Sequence, residues 1–159
     1  MTQDASFEDG AEKPIQLVAV DATDLGVISG LVQDAVFLGS EMSWLPAQRR
    51  FAILCNRFRW EDVAQAKARN RPVERVRSIL AFEDVTKVLS QGIDPQQKDT
   101  VLSVLTVHFE PTEDGAGRLV LTLAGDGAIG LDVECINVSL QDVTRPYIAP
   151  SKHIPHHPE

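Results

Sequence analysis

Arg49-Arg50-Phe51-Ala52-Ile53-Leu54-Cys55-Asn56-Arg57-Phe58-Arg59-Trp60 is an apolar run closed at both ends by arginines. Its β-branched and aromatic content predicts a strand over 49–60, and the Pro46-Ala47-Gln48 break before it predicts a hairpin turn from a strand over 42–45. Beyond it, 61–72 is polar and holds Lys67, Arg69, Asn70, Arg71 and Pro72, a helical turn followed by a loop, and Val73 to Phe82 alternates as the next strand. These three segments read as one antiparallel meander.

The same pattern recurs downstream. Val101 to Phe109 is apolar on both faces, Pro111 to Gly117 is a turn, Arg118 to Ala124 a strand, Gly125-Asp126-Gly127 a tight turn, and 128–140 a long strand. Between the two sets, Glu83 to Gly92 reads as a turn or short helix ending at its glycine. Phe82-Glu83-Asp84-Val85-Thr86-Lys87 and Leu140-Gln141-Asp142-Val143-Thr144-Arg145 sit alike at the ends of the two third strands, which points to an internal duplication. Upstream, Ile15 to Val20 is a first strand. Asp21 stands as an N-cap, and Leu25, Ile28, Leu31, Val32 and Ala35 recur at helical spacing, so the main helix covers about 22–35. The fold class is α+β and β-rich: two three-stranded antiparallel meanders forming a barrel- or sandwich-like sheet with one main helix, of which a pleckstrin-homology-like barrel is one version. The chain divides into an acidic, disordered tail over 1–14, one globular domain over 15–145 and an extended Pro/His-rich tail over 146–159.

Composition narrows the function. With 159 residues, 43% hydrophobic and 24% charged, the chain is an ordinary globular domain able to bury a real core. No run approaches the ~18 apolar residues of a spanning helix, and Asp4, Glu8, Asp9 and Glu12 near the N-terminus are the opposite of a secretory leader. A cytoplasmic protein is expected. Cys55 and Cys135 both fall in apolar strand-like runs and read as buried free thiols. A net charge of −8 disfavours a general nucleic-acid binder.

Charge is unevenly distributed. Between 49 and 77 eight arginines and Lys67 face only Glu61, Asp62 and Glu74, a net of +6 that leaves −14 elsewhere. Pairing of 49–60 with 73–82 in a register whose residue numbers sum to 134 sets Arg57 opposite Arg77 and Arg59 opposite Arg75, all on one face. Opposed like charges need anions: internal carboxylates such as Asp34, Glu41, Glu61 or Glu74, or an anionic ligand held by arginine forks. Arg57, Arg59, Arg75 and Arg77 are therefore the candidate ligand-binding residues, with Trp60 as a stacking anchor.

Other patterns are weaker. Gly125-Asp126-Gly127-Ala128-Ile129-Gly130 matches a dinucleotide fingerprint, yet an alternating strand follows it instead of the required helix. His153, His156 and His157 lie in a proline-rich tail that supplies no rigid metal frame. His108 reads as a structural residue inside a core-like strand. Asp132 and Glu134 share a strand face and could act as a carboxylate pair, although a solvated face explains them as well. No nucleophile elbow, Walker loop or Cys-x-x-Cys pair appears, so no catalytic residue, metal or cofactor is assigned.

Leu17 to Ala35 with its Asp24-Leu25 and Gln33-Asp34-Ala35, Arg49 to Glu61 with Asn56-Arg57-Phe58-Arg59-Trp60-Glu61, Glu74-Arg75-Val76, and Val133-Glu134-Cys135 with Asp142 together resemble an uncharacterised alphaproteobacterial family, the domain of unknown function DUF2948. The resemblance spans about 15–150 and implies a housekeeping setting; it carries over no catalytic residue. The leading expectation is a non-enzymatic binding or interaction module whose arginine-bearing face takes an anionic ligand or acidic partner. A small enzyme acting on a phosphorylated or carboxylated metabolite, with Asp34 or Glu61 as base, and an RNA-contacting protein using Phe58 and Trp60 are the alternatives. Self-association is left open.

Overall fold

The computed structural model describes residues 13–94 and 96–148. Its elements run β1 (Gln16–Ala19), α1 (Ala22–Leu31), β2 (Val36–Leu38), β3 (Met42–Leu45), β4 (Arg50–Phe58), α2 (Val63–Ala68), β5 (Arg75–Phe82), β6 (Val85–Gln91), β7 (Val101–Pro111), β8 (Gly117–Leu123), β9 (Ala128–Val133) and β10 (Val138–Asp142). All strand pairs are antiparallel. The order across the sheet is β1-β10-β5-β4-β2-β7-β8-β9-β6, with β3 also on β4. This β-rich fold with a short helix is not a closed barrel, because the path ends at β1 and β6 without joining them.

Helix α1 works where closure fails. Asp21 caps it by accepting from the Asp24 amide at 2.8 Å, which satisfies one of the orphan donors of the first turn. Leu25 and Ile28 enter the core, and the Ser29 hydroxyl accepts from the Val107 amide of β7 at 2.9 Å. The helix stops before the expected Ala35, since the chain turns through Asp34 at φ 64. The Ala35 carbonyl then accepts from the Val104 amide at 2.9 Å. The strand pairing that follows needs the extended backbone a longer helix would deny it.

The third strand of each predicted set behaves differently from the other. Segment 83–92 is mostly strand β6 rather than a turn or helix. It pairs with β9 across a bulge between Val85 and Lys87, and the extra residue breaks the two-residue alternation by which a strand is recognised. The 128–140 run is two strands: β9 pairs with β8 and β6, while β10 crosses to pair with β5 and β1. Cys135 lies in the break and is exposed, whereas Cys55 is buried as expected. The two similar hexapeptides also part company: Asp84 takes φ 57 between β5 and β6, but Asp142 is the buried last residue of β10.

One cluster of buried side chains unites both halves, with Ile53, Leu80, Phe82 and Leu140 on one side and Leu119, Leu121, Leu131 and Val133 on the other. A satellite of Phe58, Ala66 and Val73, backed by Trp60 and Val63, packs α2 under the end of β4.

Candidate functional site

The β4–β5 pairing decides where the arginines go. Its residue numbers sum to 133, with Asn56 opposite Arg77, Arg57 opposite Val76 and Phe58 opposite Arg75. A one-residue slip moves side chains to the other face, so the expected register of 134 is corrected. The reason is packing: the observed register places Leu80 and Phe82, both fully buried, with Ile53 and Phe51, whereas the alternative would turn the exposed Ile79 inward. Arg57 keeps its face with Ile53 and Cys55. Arg75 and Arg77 take the opposite one.

Arg57 is wholly buried and all five of its N–H donors are used. Nε donates to Ser78 Oγ and Asp142 Oδ1, both at 3.1 Å. Nη1 donates to the Phe58 carbonyl at 3.2 Å and Glu61 Oε1 at 2.9 Å; Nη2 donates to Glu61 Oε2 at 2.8 Å and Asp142 Oδ2 at 3.0 Å. Asp142 is completed by the Ser78 hydroxyl at 2.7 Å and the Ile15 amide at 2.9 Å. Burial would by itself lower the pKa of Arg57, but the hydrogen bonds and charges of Glu61 and Asp142 outweigh it and the pKa rises. Two planar carboxylates bracketing one guanidinium form a charge-assisted unit that no lysine could reproduce.

Arg59 extends this unit. It is 2% exposed, donates to Glu74 Oε1 at 2.7 Å and Asp62 Oδ2 at 3.4 Å, and approaches Glu61 at 3.8 Å. Asp62 in turn takes both Nη groups of Arg71, at 2.7 and 3.0 Å, and this hydrogen bonding pushes the Arg71 pKa up. The turn at Trp60–Asp62 supplies two carboxylates to arginines on either side of it. Asp62 and Asp142 were not legible as the partners, since neither lies where the expected register put an arginine.

Outside, the picture is different. Arg77 donates to Glu41 Oε2 at 2.6 Å and stays 41% exposed. Arg75 lies with its guanidinium carbon 4.9 Å from the centre of the Phe58 ring, exchanges backbone hydrogen bonds with Tyr147 at 2.7 and 2.9 Å, and meets no carboxylate among the described residues. The Asn56 amide donates to the Tyr147 hydroxyl. Trp60 packs on Phe58 at 5.1 Å between centroids and gives its indole N–H to the Gln33 carbonyl at 2.8 Å. Thus the five candidate residues divide: Arg75 and Arg77 share the outer face, Arg57 and Arg59 are inside, and Trp60 is half-buried with its donor used.

The positive segment is largely cancelled in space. Among the described residues, Glu41, Glu83, Glu134 and Asp142, all from beyond it, pair with Arg77, Arg50, Arg49 and Arg57, which offsets four of the six excess positive charges of 49–77. Nearby, a cavity of ≈610 Å³ is lined by Pro14, Glu74, Thr144, Arg145 and Pro146. The exposed Arg145 also meets no carboxylate among the described residues.

A second cluster occupies the outer face of β7, β8 and β9. Arg118 lies over Gly130, where an added Cβ would sit 3.4 Å from its Cδ, and it grips Asp132 at 2.6 and 3.3 Å. Grooves of ≈580 and ≈370 Å³ flank it, both bordered by Glu110. The Arg118 hydrogen bond holds the Asp132 carboxyl below its usual range and raises its own pKa. His108 is half-exposed beside Glu110 at 3.3 Å, not a core residue. Asp132 and Glu134 bind separate arginines, Arg118 and Arg49, so they form no catalytic pair. Residues 125–130 make a hairpin turn into β9, with the Leu123 amide donating to the Gly127 carbonyl at 2.8 Å. His153, His156 and His157 lie outside the described residues, as do both predicted tails apart from their inner ends. Among the described residues no three His, Cys, Asp or Glu side chains are placed to hold a metal ion, and no helix is long and apolar enough to cross a membrane.

The chain belongs to the family described as Protein of unknown function (DUF2948), which matches it over residues 15–157. The buried network and the outer arginines both fall inside that span. No curated protein and no solved structure matches the chain.

Proposed function

We propose that the protein is a non-enzymatic cytoplasmic interaction module that takes an acidic partner or anionic ligand on the outer face of β4 and β5, with Arg75 and Arg77 as its cations. The observation that carries this reading is Arg75, a half-buried guanidinium pre-oriented on the Phe58 ring with no carboxylate to neutralise it among the described residues. A cation held over an aromatic face keeps its N–H edge free for an anion, and fixing it in advance lowers the ordering cost of binding. Tyr147 and Ile79, both exposed on this side, add apolar contact beside the charge. Arg57 and Arg59 serve by fixing the strands and Trp60 by backing Phe58. Consecutive pairing within β3–β4–β5 and within β7–β8–β9 supports reading the sheet as two three-stranded meanders.

The enzymatic reading is supported by concave sites that hold an arginine and a carboxylate together: the grooves beside Arg118, Glu110 and Asp132, and the cavity lined by Glu74 and Arg145. A carboxylate held low by its arginine is a poor general base near neutral pH, so binding is the better-supported function. An RNA reading is disfavoured because Phe58 is buried and presents no ring for a base.

A labelled hexaglutamate peptide titrated at low salt tests the proposal. Binding is expected to weaken steeply with ionic strength, as exposed charges are screened over about 10 Å at 0.1 M, and to fall at least about five-fold for Arg75→Ala, the size of a ~1 kcal/mol contact. Arg50→Ala, whose arginine pairs with Glu83 at the far end of β4, is expected to bind like the parent. Equal affinity of the parent and an Arg75→Ala/Arg77→Ala variant that keeps its melting temperature would falsify the assignment.

A further inference from the structure

We propose that β1 is a pairing edge for a second copy of this chain, joining two sheets into one across a two-fold axis at Leu17. The hydrogen bonds that β1 already makes define its open side. The Asp142 amide donates to the Ile15 carbonyl at 2.9 Å, and in an antiparallel pair such bonds fall on alternate residues. Leu17 and Ala19 therefore face β10, while Gln16, Val18 and Val20 turn their N–H and C=O groups away from it. No described strand pairs with β1 on that side, and Val18 and Val20 are 60 and 66% exposed. The opposite end of the sheet is guarded: β6 carries the exposed Lys87 and a bulge beside it, two devices that stop edge-to-edge association. β1 carries no charge and no bulge.

Charge complementarity selects the occupant and its register. A second copy must set even-numbered residues opposite even-numbered ones, because only those present backbone groups to the edge. With residue numbers summing to 34, Gln16 exchanges both hydrogen bonds with Val18 of the other copy. The Val20 amide meets the Pro14 carbonyl, where the missing proline N–H leaves only one bond unmade. Leu17 then faces its own copy and Ile15 faces Ala19 on the core side of the sheet, and Lys13 stands opposite Asp21 on both sides of the axis. Lys13 and Asp21 are exposed, and neither has an ion-pair partner among the described residues. The cap of α1 occupies Oδ1 of Asp21 and leaves Oδ2 for the lysine. A sum of 36 would set Asp21 against the apolar Ile15 and Pro14 against the start of α1, and a sum of 32 would set Lys13 against Ala19. Both outer faces lie on one side of the joined sheet, so where the anion-binding reading above holds, one acidic partner meets two copies of Arg75 and Arg77.

Sedimentation velocity of the full chain at low salt, over a thousand-fold range of concentration reaching about 1 mM, reads the pairing without any anion probe, so its outcome is separate from that of the hexaglutamate titration. The weight-average mass is expected to climb from 17.4 kDa toward twice that value. Val18→Pro removes a donor aimed at the second copy and not at β10, the position where an edge strand tolerates proline. It is expected to stay folded by circular dichroism and to remain at 17.4 kDa throughout. Lys13→Glu turns both ion pairs into like-charge contacts and is expected to weaken the dimer at least about ten-fold; adding Asp21→Asn, which keeps a capping side chain, restores part of that loss. Lys87→Glu makes the same charge change at the far edge and is expected to pair like the parent. A mass of 17.4 kDa at every concentration overturns the inference. So does a dimer that Lys13→Glu leaves intact, or one that Lys87→Glu weakens as much.

Discussion

Replacing Arg57 by methionine is the sharpest probe of what the buried network does. Methionine fills most of the arginine stem but removes every N–H, and the loss falls unequally on the two carboxylates. Glu61, with its side chain 26% exposed, can turn to water. Asp142, at 3%, cannot, and it keeps only the Ser78 hydroxyl and the Ile15 amide. Leaving one charge of a buried pair uncompensated costs about 3–5 kcal/mol. For a chain of this size each kcal/mol corresponds to about 2–4 °C, so the melting temperature is expected to drop by about 6 to 20 °C. Urea unfolding followed by circular dichroism gives the free energy directly.

A double-mutant cycle then separates the pair from its desolvation cost. Arg57→Met with Asp142→Leu removes both charges together and is expected to recover about 1–3 kcal/mol relative to the sum of the single losses. Arg77→Ala, whose ion pair with Glu41 is half-exposed, is expected to cost at most about 1 kcal/mol. If Arg57→Met costs no more than Arg77→Ala, or if the two buried substitutions simply add, the claim that Arg57 organises this region is wrong.

Two further outcomes follow from the thiols and from the outer cluster. Burial pushes the Cys55 thiol up to about 12, while Cys135 is exposed and raised by partial burial and the neighbouring Asp84; a disulfide-exchange reagent should titrate one thiol in the native protein and two after unfolding, with the native rate still climbing as pH passes the ordinary cysteine value of about 8.5. The Asp132 carboxyl is held low by Arg118, so its stabilising contribution is present above the unfolded value of about 3.9 and is lost as pH falls through the lower folded pKa. Parent and Asp132→Asn should therefore differ in melting temperature at pH 6 and converge near pH 2, and a difference that instead grows on acidification would contradict that sign.

Strand and helix positions were legible where the period was clean. The alternation of β4, β5 and β8 and the Asp21 cap placed those elements within a few residues, because both signals are local. β6 was hidden by its bulge, and the split of 128–140 by a polar/apolar alternation, Leu131-Asp132-Val133-Glu134-Cys135, that carries on past the end of β9 into the break at 134–137. The candidate site was legible in composition but not in geometry. Its arginines stood out, yet which face each took depended on a register that differs by one residue from the guess, and register is settled by the fit of Leu80 and Phe82 into the core. The Asp142 that completes Arg57 lies 85 positions away in sequence, and only the crossing of β10 onto β5 brings it there.

That crossing also explains how an acidic protein tolerates so basic a segment. A chain with +6 confined to 49–77 repels itself locally unless carboxylates arrive from elsewhere, and the strand order delivers them: β10 brings Asp142, the turn before β3 brings Glu41, and the ends of β5 and β9 bring Glu83 and Glu134. Long-range pairing of this kind constrains the fold more than it stabilises it, since a buried ion pair seldom outperforms well-packed apolar side chains. A slip of β10 along β5 by one residue would aim Asp142 away from Arg57 and leave the buried guanidinium with the Glu61 carboxylate but without its second one. The network thus selects one register at the junction of β4, β5 and β10, and that register sends Arg75 and Arg77 outward. The inner arginines act on binding through the positions they enforce, and the outer pair carries the contact.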